Sequence, residues 1–307
     1  MIYDVIIIGA GPAGMTAGIY LARKKLKTLI LSQNLGGQTA ISGEVDNYPG
    51  LPDTNGIKLT ELFKNHLSKF KDLVEVRLGQ SVKTFSGQFP SFKVETNQLG
   101  HYLSKTIIIA AGSNYRHLNV PGEEEFARRG VSYCATCDAP LFSNKTVVVV
   151  GAGNAGLEAV VELNKIASKI YLITNQDKLT GDEIYQDQIK TYSKVDIIYD
   201  STVSEITGQQ LVEQIKLINL KTKEVSRLKT DGVFVEIGYE PATKFLPADL
   251  AMNERGEIKV NNFNETNIKG VLACGDVIDR LGKQTVIAAG EGARAAISVS
   301  QLLAKNV

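Results

Sequence analysis

One stretch of 29 residues occurs twice. "DVIIIGAGPAGMTAGIYLARKKLKTLILS" at 4–32 returns as "TVVVVGAGNAGLEAVVELNKIASKIYLIT" at 146–174, with Gly9 and Gly151 142 positions apart. That period is far longer than the 20–50 residues of a stacked solenoid, so the repeat points to two similar domains. Each copy reads strand, glycine turn, helix, strand. Tyr3–Ile8 and Thr146–Val150 are mostly β-branched, as expected of strands buried on both faces of a sheet. Helical spacing follows near Ala13–Arg23 and Ala155–Lys165, then second strands near Thr28–Leu31 and Lys169–Ile173. Units of this kind build parallel sheets through right-handed crossovers.

Gly9, Gly11 and Gly14 form G-x-G-x-x-G between strand and helix. The first glycine makes the tight turn, the second admits a pyrophosphate to the backbone, and the third packs helix on strand. The helix N-terminus attracts the anion. An acid about 20 residues on normally holds the adenosine ribose. Leu31 and Ser32 stand there instead, which weakens NAD at this turn and leaves FAD open. Gly36 and Gly37 offer either a second backbone approach to a cofactor or an ordinary loop turn. Elsewhere, Leu59, Leu62, Phe63, Leu67 and Phe70 make one helical face. Thr106–Ala110 reads as a buried strand leading into "AAGS" with Gly112. Glu213–Ile218, Val225–Leu228, Val233–Ile237, Glu257–Val260 and Val271–Ala273 read as strands, and about Gln284–Leu303 as a helix.

In "VSYCATCDAPLF", Cys134 and Cys137 are two residues apart and Asp138 follows. Structural zinc needs four ligands. The other candidates, Cys274, His66, His101 and His117, are single and scattered, so no metal site is expected. Two buried small residues or a dithiol–disulfide pair remain. Asp138 and the upstream Arg128 and Arg129 favour redox work by a thiolate nucleophile, with Asp138 moving protons. Asp138 can equally cap the next turn. Cys274, at the end of an apolar strand, is expected in the core.

Composition excludes several classes. The net charge of +1 with 22% charged residues gives no field for nucleic acid or anionic membrane. No run approaches the roughly 20 apolar residues of a membrane span. Few cysteines and no signal-peptide pattern predict a reducing, cytoplasmic setting.

These motifs, taken in order, resemble the low-molecular-weight thioredoxin reductases over essentially the whole chain. They also resemble the flavoprotein component of alkyl hydroperoxide reductase without its extra N-terminal domains. The matching segments are "GAGPAG", "GGQ" at Gly36–Gln38, "VDNYPG" at Val45–Gly50, "GVSYCATCD" at Gly130–Asp138, the second glycine motif, "ACGDV" at Ala273–Val277 and "KQTVIAAGEGARAA" from Lys283. The resemblance implies an α/β fold of two Rossmann-like three-layer domains, the second inserted in the first. A discontinuous FAD domain (1–116 and 244–307) would flank a nucleotide-type domain (117–243) that carries the cysteines. It implies FAD held by Gly9, Gly11, Gly14, Gly36, Gly37, Gln38, Asn47, Gly112, Gly275, Asp276 and Gln284. Cys137 would face the flavin, Cys134 would attack a thioredoxin-like or other protein disulfide, and Asp138 would serve as acid. It further implies a homodimer whose nucleotide domain rotates between a flavin-reducing pose and one that exposes the cysteines.

Gly151, Gly153 and Gly156 should bind the nicotinamide nucleotide. NADPH-specific relatives continue, after the next strand, with H-R-R-x-x-x-R, whose guanidinium groups fork onto the 2′-phosphate. Here the register reads "TNQDKLT", Thr174 to Thr180, with Lys178 as the nearby cation. NADH sites place an acid where Thr174 stands. The donor readings are therefore NADH through Asn175 or Asp177, NADPH held weakly by Lys178, or a vestigial site served by a ferredoxin-type donor or a second flavin. A non-enzyme reading, an FAD-binding redox sensor, is set against these by the intact C-x-x-C-D beside a full set of FAD motifs.

Overall fold

The computed structural model describes residues 2–42, 44–45, 47–98 and 100–305, apart from the side chains of Glu44, Thr136 and Cys137. The chain divides into two compact units, 1–114 with 240–307, and 115–239. The segments that pass between them, Ser113–Tyr115 and Tyr239–Pro241, pair as a two-stranded ribbon.

The first unit holds a seven-stranded sheet. Its order is Val74–Arg77, Thr28–Leu35, Ile2–Ala10, His101–Ile109, Ser91–Thr96, Val82–Gln88, with Val271–Ala273 also on His101–Ile109. The central strands pair in parallel, Ile8 opposite both Leu31 and Ile109. One strand, His101–Ile109, serves two partners along its length. Its first half takes the Ser91–Thr96 hairpin strand, Phe92 opposite Ser104, and its second half takes Val271 opposite Ile107. Val5, Ile6, Ile7, Ile107, Ile108 and Ile109 are wholly buried because the sheet is covered on both faces, which is why these strands read as continuous apolar runs. The helices Pro12–Arg23 and Thr285–Ala304 cross so closely that a Cβ at Gly292 would lie 2.0 Å from Ala13 O.

The second unit has a five-stranded parallel sheet in the order Val131–Ser132, Gly232–Val235, Thr146–Val150, Lys169–Ile173, Val195–Ile198. A three-stranded antiparallel sheet, Ser201–Gly208, Val212–Asn219 and Val225–Lys229, packs its apolar side chains with those of the parallel sheet. Among the described residues no helix is long and apolar enough to cross a membrane.

The two copies of the repeat fold alike. A Cβ at Gly9 would sit 2.2 Å from Ala110 O, and one at Gly151 would sit 2.1 Å from Glu236 O. Gly14 and Gly156 each come so near the first glycine of their motif that a Cβ would lie 1.9 Å from its carbonyl oxygen. One expectation fails: Glu257–Val260 is not a strand. Ile258 makes only isolated bridges to Met252 and Ile278, because the segment follows a reverse turn that Asn253 ties to Arg255 and Glu257. The hairpin Val82–Thr96 and the helix Glu183–Lys190 have no counterpart among the sequence expectations.

Candidate active site

In the first unit the turn at Gly9–Gly14 delivers Gly11 to the N-cap of helix Pro12–Arg23, with φ −76° and no side-chain cap. The first-turn amides thus point outward from a helix end with no acid nearby in sequence, which suits an anion. Gly36 N–H donates to Ala10 O at 2.8 Å, bringing the second glycine pair onto the first turn. A Cβ at Gly11 would meet only Gly36 O, at 3.9 Å, and one at Gly37 only Gly11 Cα, at 3.7 Å. Gly11 and Gly37 therefore face one opening that side chains would fill, the shape a pyrophosphate needs. Ser32, where the ribose-binding acid would stand, accepts from Ala10 N–H at 3.1 Å and donates to Asn34 O at 2.7 Å, so its hydroxyl braces the turn.

Other predicted cofactor residues gather around this turn. Asn47 Nδ2 donates to Gln284 Oε1 at 3.0 Å across 237 residues of sequence. Gln38 Nε2 donates to Ser113 O at 3.1 Å, and Thr39 and Thr285 hydroxyls meet at 3.1 Å. Gly112, with φ +69°, has open space where a Cβ would be. Gly275 and Asp276 follow the strand Val271–Ala273, the end at which open α/β sheets take ligands. Burial pushes the Asp276 carboxyl up, opposed by Lys283. Glu291 lies in the segment "KQTVIAAGEGARAA" but is not among the expected site residues. It is 7% exposed and accepts from Gly275 N–H at 2.8 Å, fixing the Gly-Asp turn from the C-terminal helix. Asp46, within "VDNYPG", lies outside the described residues.

In the second unit Cys134 precedes a single helical turn, Ala135–Asp138, that leaves the edge strand Val131–Ser132. Cys134 is disulfide-bonded, whereas Cys274 is a free, fully buried thiol whose pKa burial drives well up. The expectation for the Cys137 side chain lies outside the described residues. Asp138 does not cap the following 3-10 turn. Its Oδ2 accepts instead from the Ser132 hydroxyl at 2.6 Å, and Ser132 Oγ also accepts from Cys134 N–H at 3.1 Å. Ser132 thus ties Asp138 to the Cys134 backbone, a link that sequence reasoning missed. Arg129 does not electrify the cysteines through its side chain: its guanidinium donates to Glu125 O and lies over the Phe126 ring. Beyond the turn Leu141 is 74% exposed while Phe142 is buried on Phe234. Among the described residues no three His, Cys, Asp or Glu side chains group as metal ligands.

The second glycine turn repeats the first, with Gly153 as an uncapped N-cap at φ −81°. The loop after Ile173 is fastened onto it. Thr180 and Gly181 N–H both donate to Ala152 O, at 2.9 and 3.0 Å, and Asp182 N–H donates to Asn154 Oδ1 at 2.7 Å. Thr174 is buried, and Asn175, Gln176, Asp177 and Lys178 are exposed. Asn175 accepts from Gln176 Nε2 at 3.1 Å. This rim holds two amides, one carboxylate and one ammonium, and no guanidinium fork.

The family description "Pyridine nucleotide-disulphide oxidoreductase" matches residues 3–292. The chain belongs to that family. It is 36% identical over 304 residues to the F component of alkyl hydroperoxide reductase from Staphylococcus aureus, 99% of this chain but 60% of that protein. The chain thus spans about 60% of the length of the curated relatives it matches. Among solved structures it is similar to Lactococcus lactis thioredoxin reductase, with 36% identity, a TM-score of 0.89 and 99% of both chains covered. It is also similar to a ferredoxin-flavin thioredoxin reductase from Clostridium acetobutylicum, with 31% identity, a TM-score of 0.54 and 99% of both chains covered.

Proposed function

We propose that this oxidoreductase is a flavin-dependent disulfide reductase of thioredoxin-reductase type, working as a homodimer on a thioredoxin-like protein disulfide. The observation that carries the reading is Cys134 in a disulfide, with its amide and Asp138 joined through Ser132. Gly9, Gly11, Gly14, Gly36, Gly37, Gln38, Asn47, Gly112, Gly275, Asp276 and Gln284 would hold FAD, which, once reduced by the donor, would supply the electron pair that opens the Cys134–Cys137 disulfide. The Cys134 thiolate then attacks the substrate disulfide and expels one substrate thiolate, which Asp138 protonates. Cys137 attacks the mixed disulfide, releases the second substrate thiol and restores the starting pair, so two electrons and two protons pass to the substrate in each cycle. The exposed Leu141 beside the turn offers an apolar contact for the protein partner.

The donor reading follows from the loop 174–182. Without a guanidinium fork, the second glycine turn offers a 2′-phosphate only the point charge of Lys178, so NADPH is the poorest donor. NADH, with Asn175 or Asp177 at the ribose, is the leading one. A ferredoxin-type donor is the second reading, and the similarity to the clostridial reductase favours it. The test is anaerobic addition of NADH, NADPH or reduced ferredoxin to separate samples of FAD-loaded protein, followed by a thioredoxin disulfide in excess. Many turnovers with NADH or ferredoxin are expected. Rapid flavin bleaching by NADPH alone would refute the donor reading, and a single turnover with every donor would turn the enzyme into a sensor.

A further inference from the structure

The two repeats diverge at one structurally matched position. Ile8 pairs with Ile109 and Val150 with Val235, and the next residues, Ala110 and Glu236, lie against the first glycines Gly9 and Gly151. One unit has a methyl group there and the other a carboxyl. Glu236 does not turn to solvent. Its Oε1 accepts from Ala135 N–H at 3.2 Å, 101 residues away in sequence. Ala135 is the residue after Cys134 and is 5% exposed. The carboxyl therefore sits at the first amide of the cysteine turn, separate from the Ser132–Asp138 pair.

We propose that Glu236 is a positioning residue of the dithiol site: it holds the cysteine turn through Ala135 and its charge sets how readily Cys134 becomes a thiolate. This rests on the disulfide-reductase reading. A carboxylate at this turn disfavours a thiolate one residue away, and a neutral carboxyl does not. The carboxyl changes charge in the working range: burial, against the Ala135 amide, pushes it up to about 8, and Glu158 pushes the same way. Glu158, on the helix Asn154–Asn164, is itself within hydrogen-bonding reach of Tyr185. Tyr115 is held protonated mainly by burial, with Tyr239, Glu236 and Asp138 acting in the same direction. Asp138 thus serves as the proton donor and Glu236 as a charge that switches.

The test compares wild type, Glu236→Gln and Glu236→Ala in the pre-reduced holoprotein. Iodoacetamide labelling of Cys134 is read by peptide mass mapping from pH 6 to pH 9, beside turnover of a thioredoxin disulfide. Gln keeps the shape and the acceptor but cannot ionise. Cys134 is expected to label at like rates at pH 6 and at least about twofold faster in Glu236→Gln near pH 8, as a removed like charge requires. Glu236→Ala is expected to show the same charge effect with lower turnover at every pH, because Ala135 N–H loses its partner. Superimposable wild-type and Gln labelling profiles alongside normal wild-type turnover would overturn the proposal and leave the reductase reading standing. A labelling shift in a wild type that turns over no disulfide would support the charge linkage and overturn the reductase reading.

Discussion

Substituting Gly11 by alanine separates folding from cofactor binding. At φ −76° and ψ −176° the backbone accepts any L-residue, and the new methyl would meet only Gly36 O at 3.9 Å, an ordinary contact. Lower unfolded-chain entropy favours alanine by about 0.4–1 kcal/mol. The N-cap position disfavours it by a similar amount. Apoprotein stability should therefore change by less than about 1 kcal/mol, a Tm shift of roughly 4 °C at most. The methyl nevertheless stands in the opening between Gly11 and Gly37. Hydrogen bonds from amides to a charged phosphate contribute about 1.5–3 kcal/mol each, so losing one or two weakens FAD by about tenfold at the least and about ten-thousandfold at the most. Circular dichroism melting of the apoprotein and fluorescence titration with FAD read the two effects separately. Gly14→Ala is the contrast: its methyl would lie 1.9 Å from Gly9 O, so the fold itself should fail. A Gly11→Ala protein that binds FAD like wild type would refute the placement of the cofactor, and one that does not fold would refute the packing argument.

Three further expectations follow from the second unit. Ser132→Ala leaves Asp138 without its hydroxyl partner, about 1–1.5 kcal/mol by the usual worth of such a bond, so kcat for a protein disulfide should fall about tenfold with flavin binding unchanged. Glu236 has its folded pKa raised from 4.5 to about 8, so the folded chain keeps a proton that the unfolded chain has released. Stability then falls as pH rises through that window, by up to about 1.4 kcal/mol per unit, and the Tm advantage of Glu236→Gln should grow from pH 5 to 8 and level off above. The double change Asn175→Arg with Gln176→Arg restores a guanidinium fork on the second rim. It should lower KM for NADPH at least about tenfold relative to NADH in steady-state assays.

The repeat made both glycine turns and their flanking elements legible in the sequence, because close packing at Gly14 and Gly156 admits no other residue and the strands are buried on both faces. The hairpin Val82–Thr96 was not read from the sequence, although "SFKVET" alternates, because its partner strand "VKTFSGQ" buries only Phe85. Glu257–Val260 has strand-like composition, yet its neighbours offer only bridge pairing at Ile258. At the site, spacing marked Cys134, Cys137 and Asp138 as candidates, but the residues that contact Cys134 and Asp138 carried no such mark. Ser132 looks like one more residue of a short strand, and Glu291 reaches Gly275 from another element. Glu236 carries a signal only once the strands are matched: "IIIAAG" at 107–112 then stands beside "VFVEIG" at 233–238, 126 rather than 142 positions apart, and the one charged difference falls at the cysteine turn.

The most direct test is an anaerobic reductive titration of the FAD-loaded protein with dithionite, followed by thiol counting. A flavin and a redox disulfide each take two electrons. The wild type should therefore consume two two-electron equivalents per protomer and gain two accessible thiols, while Cys134→Ser consumes one and gains none. A wild type that stops after one equivalent, with its disulfide still closed and its flavin fully bleached, would contradict the assignment of Cys134 and Cys137 to electron transfer.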